Sequence, residues 1–88
     1  MARFSSQAEL DAAIWRLLAS TPAGERRSTR AWGIANGLND HTLVEEMLSL
    51  TLNEDPRLDG LVTEFEELPQ PKWRGNRYIV DVWFQREA

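Results

Sequence analysis

Residues 42–68 read TLVEEMLSLTLNEDPRLDGLVTEFEEL, and a helix, a charged corner and a strand follow one another within that span. Thr42 with Glu45 three residues on has capping-box spacing, so the pattern predicts a helix starting there. Leu43, Met47 and Leu50 share one face with Val44, Leu48 and Thr51, a wide apolar stripe at helical period. Pro56 steers Asp55 away from helical backbone, which predicts the end of the helix near Asn53 or Glu54. Arg57 then leaves a rigid corner beside the acidic pair Glu54 and Asp55. Beyond Asp59 and Gly60, Leu61, Thr63 and Phe65 alternate with Val62, Glu64 and Glu66, the period of a strand over 61–68. The rest of the chain has to dock on this unit.

Eighty-eight residues are enough for one domain with one modest core. The 42% hydrophobic content and four tryptophans indicate a globular chain rather than a disordered one. With no cysteine there is no disulfide framework and no thiolate chemistry, which suits assembly in a reducing cytosol. No apolar run reaches transmembrane length, and residues 1–10 lack the apolar core of a signal peptide. Charge is uneven. Residues 1–44 set five arginines against four acids, whereas residues 45–88 set four arginines and one lysine against ten acids. A net charge of −4 is a poor match for a phosphate backbone and argues against nucleic acid as the main partner.

Ser6 and Glu9 form a second capping box, and Leu10, Ile14, Leu17 and Leu18 fall on one face, predicting a helix over about 7–19 with Trp15 flanking the apolar stripe. Pro22 and Gly24 stop it in a turn that carries Glu25, Arg26 and Arg27. Residues 28–33 read as a connection in which Trp32 plugs the end of the core and Gly33 permits close backbone approach. Residues 34–38 suit one short helical turn ended by Gly37 and Asn39. Pro69, Pro71, Gly75 and Asn76 mark residues 69–77 as a loop. Tyr78, Val80, Val82 and Phe84 then alternate with Ile79, Asp81, Trp83 and Gln85 as a closing strand. The expected fold class is α+β: two main helices on a small, mostly antiparallel sheet with a C-terminal hairpin. A two-stranded ribbon is marginal alone, so it must pack on the helices or gain a third strand. The last strand carries apolar side chains on both faces and no proline, and its edge is expected to be open to a strand from another chain.

The order of these features resembles the sheath-initiator family, the small baseplate wedge protein of contractile phage tails (protein W-like), with relatives in type VI secretion and other contractile injection systems. The likeness spans roughly residues 10–85. It rests on the block Thr21, Pro22, Ala23, Gly24, Glu25, Arg26, on the aromatic-Gly-Ile of Trp32, Gly33 and Ile34, and on Asp55, Pro56, Arg57 before a strand. The family's Glu-Pro-Arg triplet appears here with Asp55 first and Glu54 adjacent. Its usual Pro-x-Phe-Gly is here Thr29, Arg30, Ala31, Trp32, Gly33, a looser match.

The resemblance implies a structural baseplate component with no cofactor and no membrane association, six copies around the tube, and a place in the virion tail, or in the cytoplasm for a bacterial injection system. Glu54, Asp55, Pro56 and Arg57 would bind the helical bundle of the baseplate wedge proteins. The strand bearing Tyr78, Val80, Val82 and Phe84 would pair with arms of the sheath protein, and tube or hub proteins would lie nearby. From the residues alone, Arg57 folding back on Glu54 or Asp55 is the simpler expectation. Glu25 and Arg26 fit an internal brace as well as a partner contact.

Family members have also been labelled lysozyme-like, so a small peptidoglycan hydrolase is the alternative. Glycoside hydrolysis needs two facing carboxylates, one with a raised pKa. Glu25, Glu54, Asp55, Glu64, Glu66 and Glu67 supply candidates, but so many acids read more simply as a wet face. His41 has no second His or Cys to make a zinc site. Ser20, Ser28 and Ser49 lack a nucleophile-elbow context. A regulatory adaptor of winged-helix outline is the third possibility, disfavoured for DNA by the acidic balance.

Overall fold

The computed structural model describes residues 3–68 and 78–87, and the loop expected over 69–77 lies outside the described residues. Helix α1 runs Gln7–Ala19. Ser6 caps it, its Oγ accepting the Glu9 N–H at 3.1 Å. The return arm of the box closes one residue earlier than the pattern predicts: the Glu9 carboxylate accepts from the Ser5 N–H at 3.0 Å and from the Ser5 hydroxyl. These bonds, the hydroxyl's foremost, hold the Glu9 carboxyl below its ordinary range. Leu10, Ala13, Ile14, Leu17 and Leu18 are buried, whereas Trp15 faces solvent at 54% exposure.

The expected connection over 28–33 is instead a short strand followed by a helix. Strand β1 is Arg26–Ser28 and α2 is Thr29–Ala35. Three residues of strand carry no readable period. The helix is held by a local cap and by core packing: Ser28 Oγ accepts the Ala31 N–H at 3.0 Å, and Trp32 is buried in the core. Gly33 does allow close approach, since a Cβ there would lie 2.9 Å from Leu43 Cδ1 and 3.2 Å from Asp40 Cα.

Helix α3 spans Asp40–Leu52, starting ahead of the Thr42–Glu45 signal. The cap is Asn39, in extended backbone, whose Oδ1 accepts the Thr42 N–H at 3.1 Å. Thr42 therefore lies inside the first turn. Leu43, Val44, Met47 and Leu50 face the core. The helix ends as predicted, with Asn53 as C-cap and Glu54 in the left-handed region at φ 52°. Asp55 N–H reaches Leu50 O at 3.0 Å and Glu54 N–H reaches Thr51 O at 3.2 Å, the two bonds of a Schellman ending. A 3-10 turn, Pro56–Leu58, follows.

Strands β2 (Leu61–Leu68) and β3 (Tyr78–Arg86) form the antiparallel hairpin, and β1 pairs antiparallel with the other side of β3, giving the order β1-β3-β2. The architecture is α+β, and the third strand comes from within the chain. Two expectations for β3 are corrected. It is the central strand, so its edge is not free along its length: Arg26, Arg27 and Ser28 pair with Gln85, Phe84 and Trp83, and the Thr29 hydroxyl donates to Val82 O at 2.7 Å. Nor do Tyr78, Val80, Val82 and Phe84 share one face. The register steps from Glu66↔Asp81 to Glu67↔Ile79, leaving Val80 without a partner on β2. This bulge breaks the alternation. Val82 and Phe84 are core residues, Ile79 is partly buried against the core cluster, and Tyr78 is exposed.

Candidate docking corner and sheet face

Asp55, Pro56 and Arg57 sit where α3 gives way to β2. Pro56 occupies the first turn of the 3-10 segment, where its missing N–H costs nothing. Asp55 Oδ1 caps that turn, accepting the Arg57 N–H at 2.9 Å. Arg57 folds back onto the same carboxylate, with Nε 3.0 Å from Oδ1 and Nη2 3.1 Å from Oδ2. Its Nη1 reaches Asp11 Oδ1 on α1 at 3.3 Å. The acid partner is Asp55 rather than Glu54, whose side chain is exposed. The guanidinium fork and the cap bond from Arg57 hold the Asp55 carboxyl below its ordinary range, and the same fork holds the Arg57 guanidinium above its own. The corner is thus a fixed bracket joining α1, α3 and the entry to β2.

The block of residues 21–26 clasps the far end of β3. Thr21 Oγ1 donates to Leu17 O at 2.8 Å. Pro22 O accepts the Glu25 N–H at 3.2 Å, closing the turn. Gly24 stands at φ 81° and sends its N–H to Arg86 O at 2.6 Å, a backbone that side-chain-bearing residues rarely adopt. Arg86 returns its Nη2 to Leu18 O at 2.9 Å. Arg26 is an internal brace: its guanidinium lies 4.1 Å from the Trp83 ring centroid and donates to Glu64 Oε1 at 2.9 Å. Glu25 is exposed, 3.8 Å from Arg27 Nη2.

The outer sheet face therefore carries Val62, Glu64 and Glu66 beside Trp83, and Trp83 Nε1 donates to Glu66 Oε1 at 2.8 Å. Leu61, Thr63 and Phe65 are half-buried on the other face. Sequence reasoning missed a buried polar seam further along this face, where Asp81 pairs with Glu66. Asp81, 4% exposed, accepts from the Ser28 hydroxyl and from the Arg30 N–H at 2.9 Å. Arg30 Nε in turn lies 3.4 Å from the buried Asp40 carboxylate. The signal available was a lone acid in the most apolar strand, since a buried carboxylate needs donors.

The carboxylates considered for hydrolysis do not form one facing pair. Glu25 lies beside β1, Glu54 and Asp55 border a 170 Å³ dent at the end of α3, and Glu64 and Glu66 are tied to Arg26 and Trp83. Asp55 is shifted away from the protonated state that a general acid needs. A larger cleft of about 450 Å³ opens between α3 and the start of β3, walled by His41, Val44, Glu45, Tyr78, Ile79 and Val80 among others. Among the described residues, no three of His, Asp and Glu converge as a metal-binding group, and no helix is long and apolar enough to cross a membrane.

Comparison with protein-family models, with curated proteins and with solved structures returns no match for this chain.

Proposed function

We propose that the chain is a structural assembly component of the sheath-initiator kind, without catalytic activity, in a phage tail or a related injection system. It joins wedge proteins through one face to sheath protein through another, in six copies around a tube or hub. The observation that carries this reading is the position of β2. As the terminal strand of the order β1-β3-β2, it offers the outer main-chain edge of residues 61–66, with no described strand across it, beside the bracketed corner at Arg57. Strand addition supplies affinity through main-chain hydrogen bonds and specificity through alternate side chains. An added strand would meet Leu61, Thr63 and Phe65 on one side and Val62, Glu64 and Glu66 on the other. The receiving edge is thus moved from β3 to β2. The net charge of −4 gives no support to a nucleic-acid partner.

Co-expression with candidate sheath and wedge proteins, followed by pull-down and electron microscopy, tests the proposal. Proline at Val62 and at Thr63 probes the edge, because neighbouring strand residues aim their N–H groups to opposite sides and one of the two variants spares the ladder to β3. Loss of sheath capture in the variant that keeps its fold, with loss of wedge capture on Arg57→Ala, supports two docking faces on one adaptor. Capture of neither partner by the unaltered chain, with cell-wall cleavage instead, would replace this reading with the hydrolase.

A further inference from the structure

Helix α1 is apolar on two faces. The inward one is the core stripe. On the outward one, Ala8, Ala12, Trp15 and Ala19 are all exposed, at i, i+4, i+7 and i+11, the spacing of a helix that packs against another helix. Trp15 at 54% exposure is the largest side chain on it. A buried indole supplies more contact energy than almost any other side chain, and here it stands in water.

The face continues into the Arg57 bracket. Asp11 lies one turn before Trp15, so the two side chains are neighbours on the helix surface. Asp11 Oδ1 is held by Gln7 Nε2 at 3.0 Å and by Arg57 Nη1 at 3.3 Å. Arg57 also holds Asp55, and Glu54 is adjacent. Two carboxylates therefore hold one guanidinium, and with Glu54 exposed next to Asp55 acids outnumber the one cation at this edge of the apolar face, whose geometry the bracket fixes.

We infer that α1 and the Arg57 corner form one continuous docking face, anchored by Trp15, for an amphipathic partner helix with an apolar stripe and Lys or Arg along one border. The alanines let that helix approach closely, the indole fills a slot in it, and the partner's cations meet Asp11 and Glu54. This rests on the reading of the corner as the wedge-binding end, and it makes Trp15 the principal contact and Asp11 a positioning residue for Arg57.

The test uses the full chain with the wedge partner and compares Trp15→Ala, Ala12→Glu and Arg57→Ala. The altered side chains of the first two are exposed, so thermal melts should match the unaltered chain. The expected result is a rise in Kd for the wedge partner of about thirtyfold for Trp15→Ala and loss of capture for Ala12→Glu, with sheath capture unchanged in both. Wedge capture that survives both substitutions but fails on Arg57→Ala would overturn the α1 face and leave the corner standing. Failure of the unaltered chain to capture wedge protein would overturn both. Sedimentation showing a self-dimer that Ala12→Glu abolishes would assign the face to a second copy and overturn the wedge helix.

Discussion

Arg57 and Asp55, two residues apart, are joined three times: by the cap bond from the Arg57 N–H and by both prongs of its guanidinium at 3.0 and 3.1 Å. Pro56 between them limits the backbone so that the fork is nearly prepaid in entropy. The Asp55 carboxyl is consequently depressed below its reference of 3.8. A depressed acid contributes stability that is fully present above the unfolded value and is lost as pH falls through the folded one. Asp55→Asn keeps an acceptor for the cap but removes the charge. It should lower the melting temperature between pH 5 and 7, and the difference from the unaltered chain should shrink as pH falls below the ordinary carboxylate range and through the depressed Asp55 value. Melts across that range check it, and a difference that persists in acid would mean Asp55 acts through its cap alone.

Glu54 and Gly37 end two helices in the same way, one with a side chain and one without. Gly37 stands at φ 69° after α2, with its own N–H on Ile34 O and Leu38 N–H on Gly33 O. Glu54 repeats this at φ 52° after α3, where an L-residue is disfavoured by roughly 1–2 kcal/mol, part of which the flexible unfolded glycine gives back. Glu54→Gly should therefore stabilise the protein by about 0.5–1 kcal/mol, raising the melting temperature by a few degrees. Gly37→Ala should destabilise it by about 1 kcal/mol. Urea denaturation of both variants provides the comparison, and equal and opposite signs are the expected signature.

Gly33 is set by packing. Alanine in a helix interior is worth about 1 kcal/mol over glycine, yet a Cβ here would press on the Asp40 backbone at 3.2 Å and on Leu43, which is fully buried. Gly33→Ala should be net destabilising, by roughly 1–2 kcal/mol. The same urea measurement would show α2 and α3 to be more adjustable than this if the variant were neutral.

Asp81 ties β3 to the start of α2. Asp81→Ala strands the buried Ser28 hydroxyl and leaves the part-buried Arg30 N–H without its acceptor, which should cost roughly 1–3 kcal/mol. Asp81→Asn retains one acceptor for the Arg30 N–H and should cost less. Amide exchange at Arg30 reports the difference directly, because its protection should fall in the first variant and persist in the second.

Much of this fold was legible. The bounds of α1 and β2 follow from caps, turns and periodicity, and β3 exceeds its expected span only at Arg86. What escaped was decided by contacts distant in sequence. Asn39 outcompetes Thr42 as a cap because Asp40 is buried where α3 meets Gly33. Strand β1 exists because Trp83, Phe84 and Gln85 give it a partner. The bulge at Val80 leaves no composition mark. For the docking corner, the residues suggested a folded-back arginine and that is what forms, but the second clasp on Asp11 comes from a helix 46 residues earlier, beyond the reach of any local pattern.

The placement of β3 between β1 and β2 also governs when the sheet can exist. Both neighbours precede it in sequence, so during synthesis each emerges with its ladder groups unmatched. Ser28 and Thr29 wait on Asp81 and Val82, both 53 residues downstream of their partners. The helices can form early, but Val82 and Phe84 reach the interior last. Folding should accordingly be a single late closure rather than a progressive one. Until that closure residues 61–66 of β2 lack the β3 ladder that later covers one of their edges, so the nascent chain is most vulnerable to mispairing through the strand proposed as the receiving edge.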